Sequence, residues 1–176
     1  HRATMQKTTA TLAALGVIGL LTAGLAAQES NWSHWGIEFS NSGATEAQQP
    51  FIRGVTALHL HMFEDAEAHF QQAQRVDPDF AMAYWGEAMA HNQPIWRIQR
   101  RDQAQAILER LGSTPTERAA KAQTTREKDY LATLEILYGT GDKPARDVAY
   151  EQAMRQLSER YPDDTEALAF RTLSRV

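Results

Sequence analysis

From residue 46 onward, apolar positions recur at intervals of three and four, the period of helices that bury one stripe. Phe51, Val55, Leu58 and Met62 form such a stripe over residues 49–62, and Ala66, Phe70, Ala73 and Val76 form one over residues 64–76. Asp77-Pro78-Asp79 ends the second helix, because proline cannot continue a helix interior. Asp79 is then the expected N-cap of a third helix over residues 80–92. Pro94 suits the first turn of a further helix. Ala104, Ile107, Leu108 and Leu111 mark residues 102–111, and Gly112-Ser113-Thr114-Pro115 reads as a turn. One long helix is expected from Thr116 to Tyr138, with Tyr130, Leu134, Leu137 and Tyr138 as its stripe. A turn at 139–143 precedes a helix over 145–161, which Tyr161-Pro162-Asp163-Asp164 ends, and a last helix begins near Thr165. No segment alternates convincingly as a strand.

The segment before these helices has a different character. Lys7 is followed by an almost wholly apolar run over residues 12–21 and then by small residues up to Ala27. That order is expected of a cleaved secretory signal, with cleavage at about residue 27. The alternative is an uncleaved N-terminal anchor, although the run is short for a span and lacks a basic stop-transfer cluster. The expected organisation is therefore a signal over 1–27, a polar irregular lead-in over 28–45 and one helical domain over 46–176. The expected destination is periplasmic or secreted. The last helix has no cap or polar tail, so the helical domain is expected to continue past Val176.

The helices repeat. Ala66, Phe70, Ala73 and Pro78 are spaced four, three and five residues apart, and Tyr150, Met154, Leu157 and Pro162 share that spacing. Ala104, Leu108, Leu111 and Pro115 form a middle copy that is one residue shorter. Gly54, Ala66, Phe70, Ala73 and Pro78 match the tetratricopeptide pattern, although Ala57 stands where that pattern has an aromatic. A second copy has Tyr84 for the family's Trp and Ala88 for its Gly. The chain resembles the tetratricopeptide-repeat family. It is closer still to exported bacterial members, through Asn41-Ser42-Gly43, Leu58-His59, the run from Asp77 to Met89, Pro94-x-Trp96 and Arg126-Glu127-Lys128-Asp129-Tyr130. The resemblance implies an all-α fold: an α-solenoid of antiparallel helix pairs, about three repeats plus an incomplete fourth. It implies no reaction. In that fold the first helix of each pair lines a concave face, so Phe51, Val55, His59, Met82, Trp85, Met89 and Asn92 are the expected partner-binding groove. Aromatic anchors there suit a protein or peptide partner, and the alternative is that Tyr84 and Trp85 are inter-repeat core.

Composition narrows the chemistry. The chain has no cysteine, which excludes disulfides, thiolate nucleophiles and thiolate metal sites. A net charge of -4 argues against a nucleic-acid partner, which needs a concentrated basic face. Glycine (10) and proline (6) are sparse, which favours helix. The charge runs near Arg100 and Lys128 read as solvated helix faces. No phosphate loop, nucleophile elbow or dinucleotide fingerprint is present, so neither catalysis nor a cofactor is expected. Beyond the export signal, no membrane segment is expected.

Histidine leaves one alternative open. His59 and His61 point about 200° apart on a helix and cannot share an ion. Glu87 and His91 are four apart and share a face. His59 or His61 could join Glu87 and His91 to bind copper or zinc, with Met62, Met82 and Met89 as soft ligands. The plainer alternative is that these side chains pack between helices. A third possibility is that the chain is an accessory subunit of an exported enzyme.

Overall fold

The computed structural model describes residues 36–175. The expected signal and the first part of the lead-in, including Trp32 and Trp35, lie outside the described residues. The fold is all-α. Among the described residues eight helices follow in order: α1 (Thr45–His59), α2 (Phe63–Val76), α3 (Ala81–Ala90), α4 (Arg101–Leu111), α5 (Pro115–Lys121), α6 (Thr125–Leu137), α7 (Lys143–Arg160) and α8 (Thr165–Leu173). No helix among the described residues is long and apolar enough to cross a membrane.

Short turns fold successive helices back on one another. α1 packs on α2, α2 on α3, α3 on α4, α6 on α7 and α7 on α8. Two further contacts skip along the chain: α1 meets α3, and α3 meets α6. α3 is therefore central, and all ten of its residues are buried.

Small residues permit this packing. The Phe70 ring of α2 is wedged between two glycines. A Cβ at Gly54 of α1 would stand 2.7 Å from that ring, and one at Gly86 of α3 only 2.3 Å. A slot between three helices is thus shaped for one aromatic ring.

The structure corrects the expected elements at three places. A small antiparallel hairpin replaces the helix expected at Pro94: β1 (Asn92–Gln93) pairs with β2 (Ile98–Gln99) around a single 3-10 turn, Pro94–Trp96. Arg97 closes it with a left-handed backbone, φ 56°. The long helix expected from Thr116 divides at residues 122–124 into α5 and α6. Each starts with a capping box, Thr114 with Glu117 and Thr124 with Glu127, which satisfies the otherwise unpaired first-turn donors. Asp79 does not cap α3, whose N-cap is Phe80 without a side-chain bond. Its carboxylate instead receives Lys121 Nζ at 2.5 Å. Side-chain caps by aspartate do occur at α7 (Asp142) and α8 (Asp164).

α1 ends in a tight reversal. Met62 N–H donates to the Ala57 carbonyl and His61 N–H to that of Leu58, the two bonds of a Schellman motif. The left-handed position there, usually glycine, is His61 at φ 59°.

Candidate functional site

Residues 36–44 form neither helix nor strand, yet they are held firmly. Phe39 is buried, with ring centroids 5.4 Å from Phe51 of α1, 5.4 Å from Trp85 of α3 and 5.2 Å from Tyr130 of α6. The Arg126 guanidinium lies 4.7 Å from the same ring, a cation–π contact. Arg126 also donates to the Ser40 carbonyl at 2.5 Å. The Ser42 amide and hydroxyl both donate to Oε1 of buried Glu127, at 2.7 and 2.8 Å. Gly43 is pressed against Phe80, leaving no room for a Cβ.

This arrangement overturns the groove expected from sequence. Phe51, Val55, Met82 and Trp85 are not on an open face; they are core, because Phe39 covers the aromatic surface that α1, α3 and α6 share. Phe170 of α8 closes Trp85 from another direction, with centroids 5.0 Å apart. Met89 is also buried, and its sulfur accepts from the Tyr150 hydroxyl at 3.7 Å. His59 and Asn92 are the two groove candidates with partial exposure. His59 is committed inward: Nε2 lies 2.7 Å from Glu166 Oε2, and the ring stacks on Phe170 at 5.2 Å.

His59, Glu87 and His91 are not brought together. Glu87 is buried and accepts from Gln71 at 3.0 Å, from Gln74 at 2.5 Å and from Arg110. His91 Nε2 faces Glu67 at 3.8 Å, and its Nδ1 has no hydrogen-bond partner among the described residues. Burial pushes the His91 imidazole below its ordinary range, against a smaller upward pull from Glu67. Each member of the expected set thus serves a separate contact, and among the described residues no group of three His, Asp or Glu side chains is placed to hold a metal.

Among the described residues, five of the eight exposed large apolar side chains gather at the hairpin and the turn before α2, the others being Val76, Val148 and Leu168. Trp96 is 52% and Ile95 49% exposed, with Ile98, Leu60 and Met62 also open. His61 and Phe63 meet the Trp96 ring edge-on, at 5.4 and 5.8 Å, joining the α1–α2 turn to the hairpin. Pro94-x-Trp96 was legible as a motif, but its meaning depended on a hairpin that the helical periodicity did not reveal. No protein-family model, curated protein or solved structure matches this chain.

Proposed function

We propose that this chain is an exported, non-enzymatic scaffold of tetratricopeptide-like helix pairs, about three plus an incomplete fourth. It binds a protein or peptide partner through the apolar surface around Trp96. The repeat reading is supported by the order of packing, in which α1, α3 and α6 each pair with the helix that follows or adjoin one another, and by the Phe70 slot between Gly54 and Gly86. The export reading rests on the sequence of residues 5–28.

The observation that carries the binding surface is the exposed cluster Leu60, Met62, Ile95, Trp96 and Ile98 on two adjoining turns. Isolated apolar side chains on a surface need no explanation, but a cluster of this kind marks an interaction site. Tryptophan is the side chain most enriched among residues that dominate binding energy. Both turns also carry a non-glycine residue in left-handed backbone, His61 and Arg97. Such local cost concentrates at functional sites.

The test is affinity capture from the native host with the wild-type chain and with Ile95→Asp and Trp96→Ala. A partner retained by the wild type and lost by both variants, at unchanged melting temperature, supports the surface. Equal capture by all three contradicts it. If the captured partner is an enzyme, the chain is its accessory subunit.

A further inference from the structure

Beside the hairpin lies a cleft of about 590 Å³. Its walls come from three places: the hairpin, the first half of α7 and the end of α8 with the two residues that follow it. Pro94, Ile98, Pro144, Val148 and Leu173 give it apolar sides, over buried Leu137 and Tyr150. It adjoins a smaller apolar recess that reaches Leu58, Phe63 and Phe170, because Asn92, Pro94, Tyr150 and Leu173 line both. Small-molecule sites enclose about 300–1,000 Å³, mostly apolar, with a few polar groups that fix orientation. This cleft has that size and that make-up.

Its polar groups are unequal in sign. Five charged side chains line it: Arg97, Lys143, Asp147, Glu151 and Arg175. Lys143 and Asp147 pair with each other at 2.5 Å. Arg97 and Arg175 make no ion pair or side-chain hydrogen bond among the described residues. Asn92 Oδ1 accepts from Gln99 Nε2 at 3.2 Å, and no acceptor among the described residues takes the Asn92 side-chain N–H groups. Among the described residues, the lining cations without an ion-pair partner are therefore Arg97 and Arg175, and the lining carboxylate without one is Glu151. The excess is cationic in a chain whose net charge is -4.

We propose that this cleft binds a small amphipathic carboxylate. Its apolar chain runs over Pro94, Val148 and Leu173 toward the recess, and its carboxylate meets the donors of Arg97, Arg175 and Asn92. Guanidinium groups suit this role because their planar donors match a carboxylate. Walls on three sides favour a compact ligand over an extended polypeptide.

The experiment is calorimetric titration of the full chain with decanoate below its micellar concentration. Acetate supplies the head without the tail, and decyltrimethylammonium supplies the tail with the opposite charge. Decanoate is expected to bind saturably at one per chain, and neither control to do so. Arg97→Glu weakens binding at least about tenfold, the loss expected when one charged hydrogen bond is removed. Val148→Asp abolishes it, while Leu168→Asp, also exposed but outside the cleft, leaves it unchanged. Thermal melts confirm that these surface variants fold. The proposal is overturned if decanoate gives no saturable heat, if the cationic amphiphile binds equally, or if Arg97→Glu and Val148→Asp bind like wild type. Binding of a short apolar peptide in place of decanoate would also overturn it.

Discussion

Phe39 and Trp85 sit with ring centroids 5.4 Å apart, although Phe39 lies before α1 and Trp85 stands at the middle of α3. Phe39 is therefore part of the core, and the inner aromatic face is occupied by the chain itself. Phe39→Ala is expected to lower unfolding free energy by about 3–5 kcal/mol, the range for emptying a buried aromatic site. Its exposed neighbour changed in the same way, Glu38→Ala, is expected to stay within about 0.5 kcal/mol of wild type. Urea unfolding of both variants checks the difference.

The Phe70 slot predicts a size limit at a single hydrogen atom. A methyl group at Gly86 would stand 2.3 Å from the Phe70 ring, so either the ring or a helix must move. Gly86→Ala is expected to cost about 1–3 kcal/mol, although alanine is the better helix former. Adding Phe70→Leu should recover part of that loss, and a double-mutant cycle measures the coupling.

His61 is expected to behave in the opposite sense. It occupies the left-handed position of a Schellman turn at φ 59°, where a side chain costs about 1–2 kcal/mol. His61→Gly removes that cost and should raise the melting temperature. It also removes a ring from Trp96, so partner capture should weaken as stability rises. A variant that is more stable and captures the partner normally would detach His61 from the binding surface.

Stability should fall on mild acidification. Burial lowers the pKa of His91, and burial with the nearby Arg53 lowers that of His69, both from the ordinary 6.5. In each case the unfolded chain binds the proton more readily, so ν for the unfolded state exceeds that of the native state as pH drops. The neutral-imidazole contribution is complete above 6.5 and is lost as pH falls through the folded-state values below it. Unfolding free energy should therefore decline between about pH 7.5 and 5.5, and His91→Gln should flatten that decline. Denaturant melts across the range read the slope.

Helical character was legible in the apolar period, because an amphipathic helix must repeat its stripe every three or four residues. The division between α5 and α6 was legible too, in Thr114-x-x-Glu117 and Thr124-x-x-Glu127, but the apolar stripe running on to Tyr138 obscured it. Asp79 misled, since an acidic residue before a helix is a common cap, whereas here Lys121, distant in sequence, takes its carboxylate. The expected groove went wrong for a related reason. Phe51 and Trp85 do share a face, since both rings meet Phe39, but no local pattern announces that Phe39 will cover it. Periodicity records which residues face inward; it does not record what else arrives there. The hairpin is two residues per strand, too short to alternate, and its exposed tryptophan becomes apparent once the turn is built.

The most direct measurement places a photo-crosslinking side chain at position 96 and, in a separate variant, at position 76, and irradiates both in the native host. Val76 is exposed on α2, outside the hairpin cluster, and serves as the comparison. A discrete adduct from position 96, absent from position 76 and lost on adding Ile95→Asp, is the predicted result. No adduct at 96, or the same adducts at both positions, would contradict a partner surface at the hairpin.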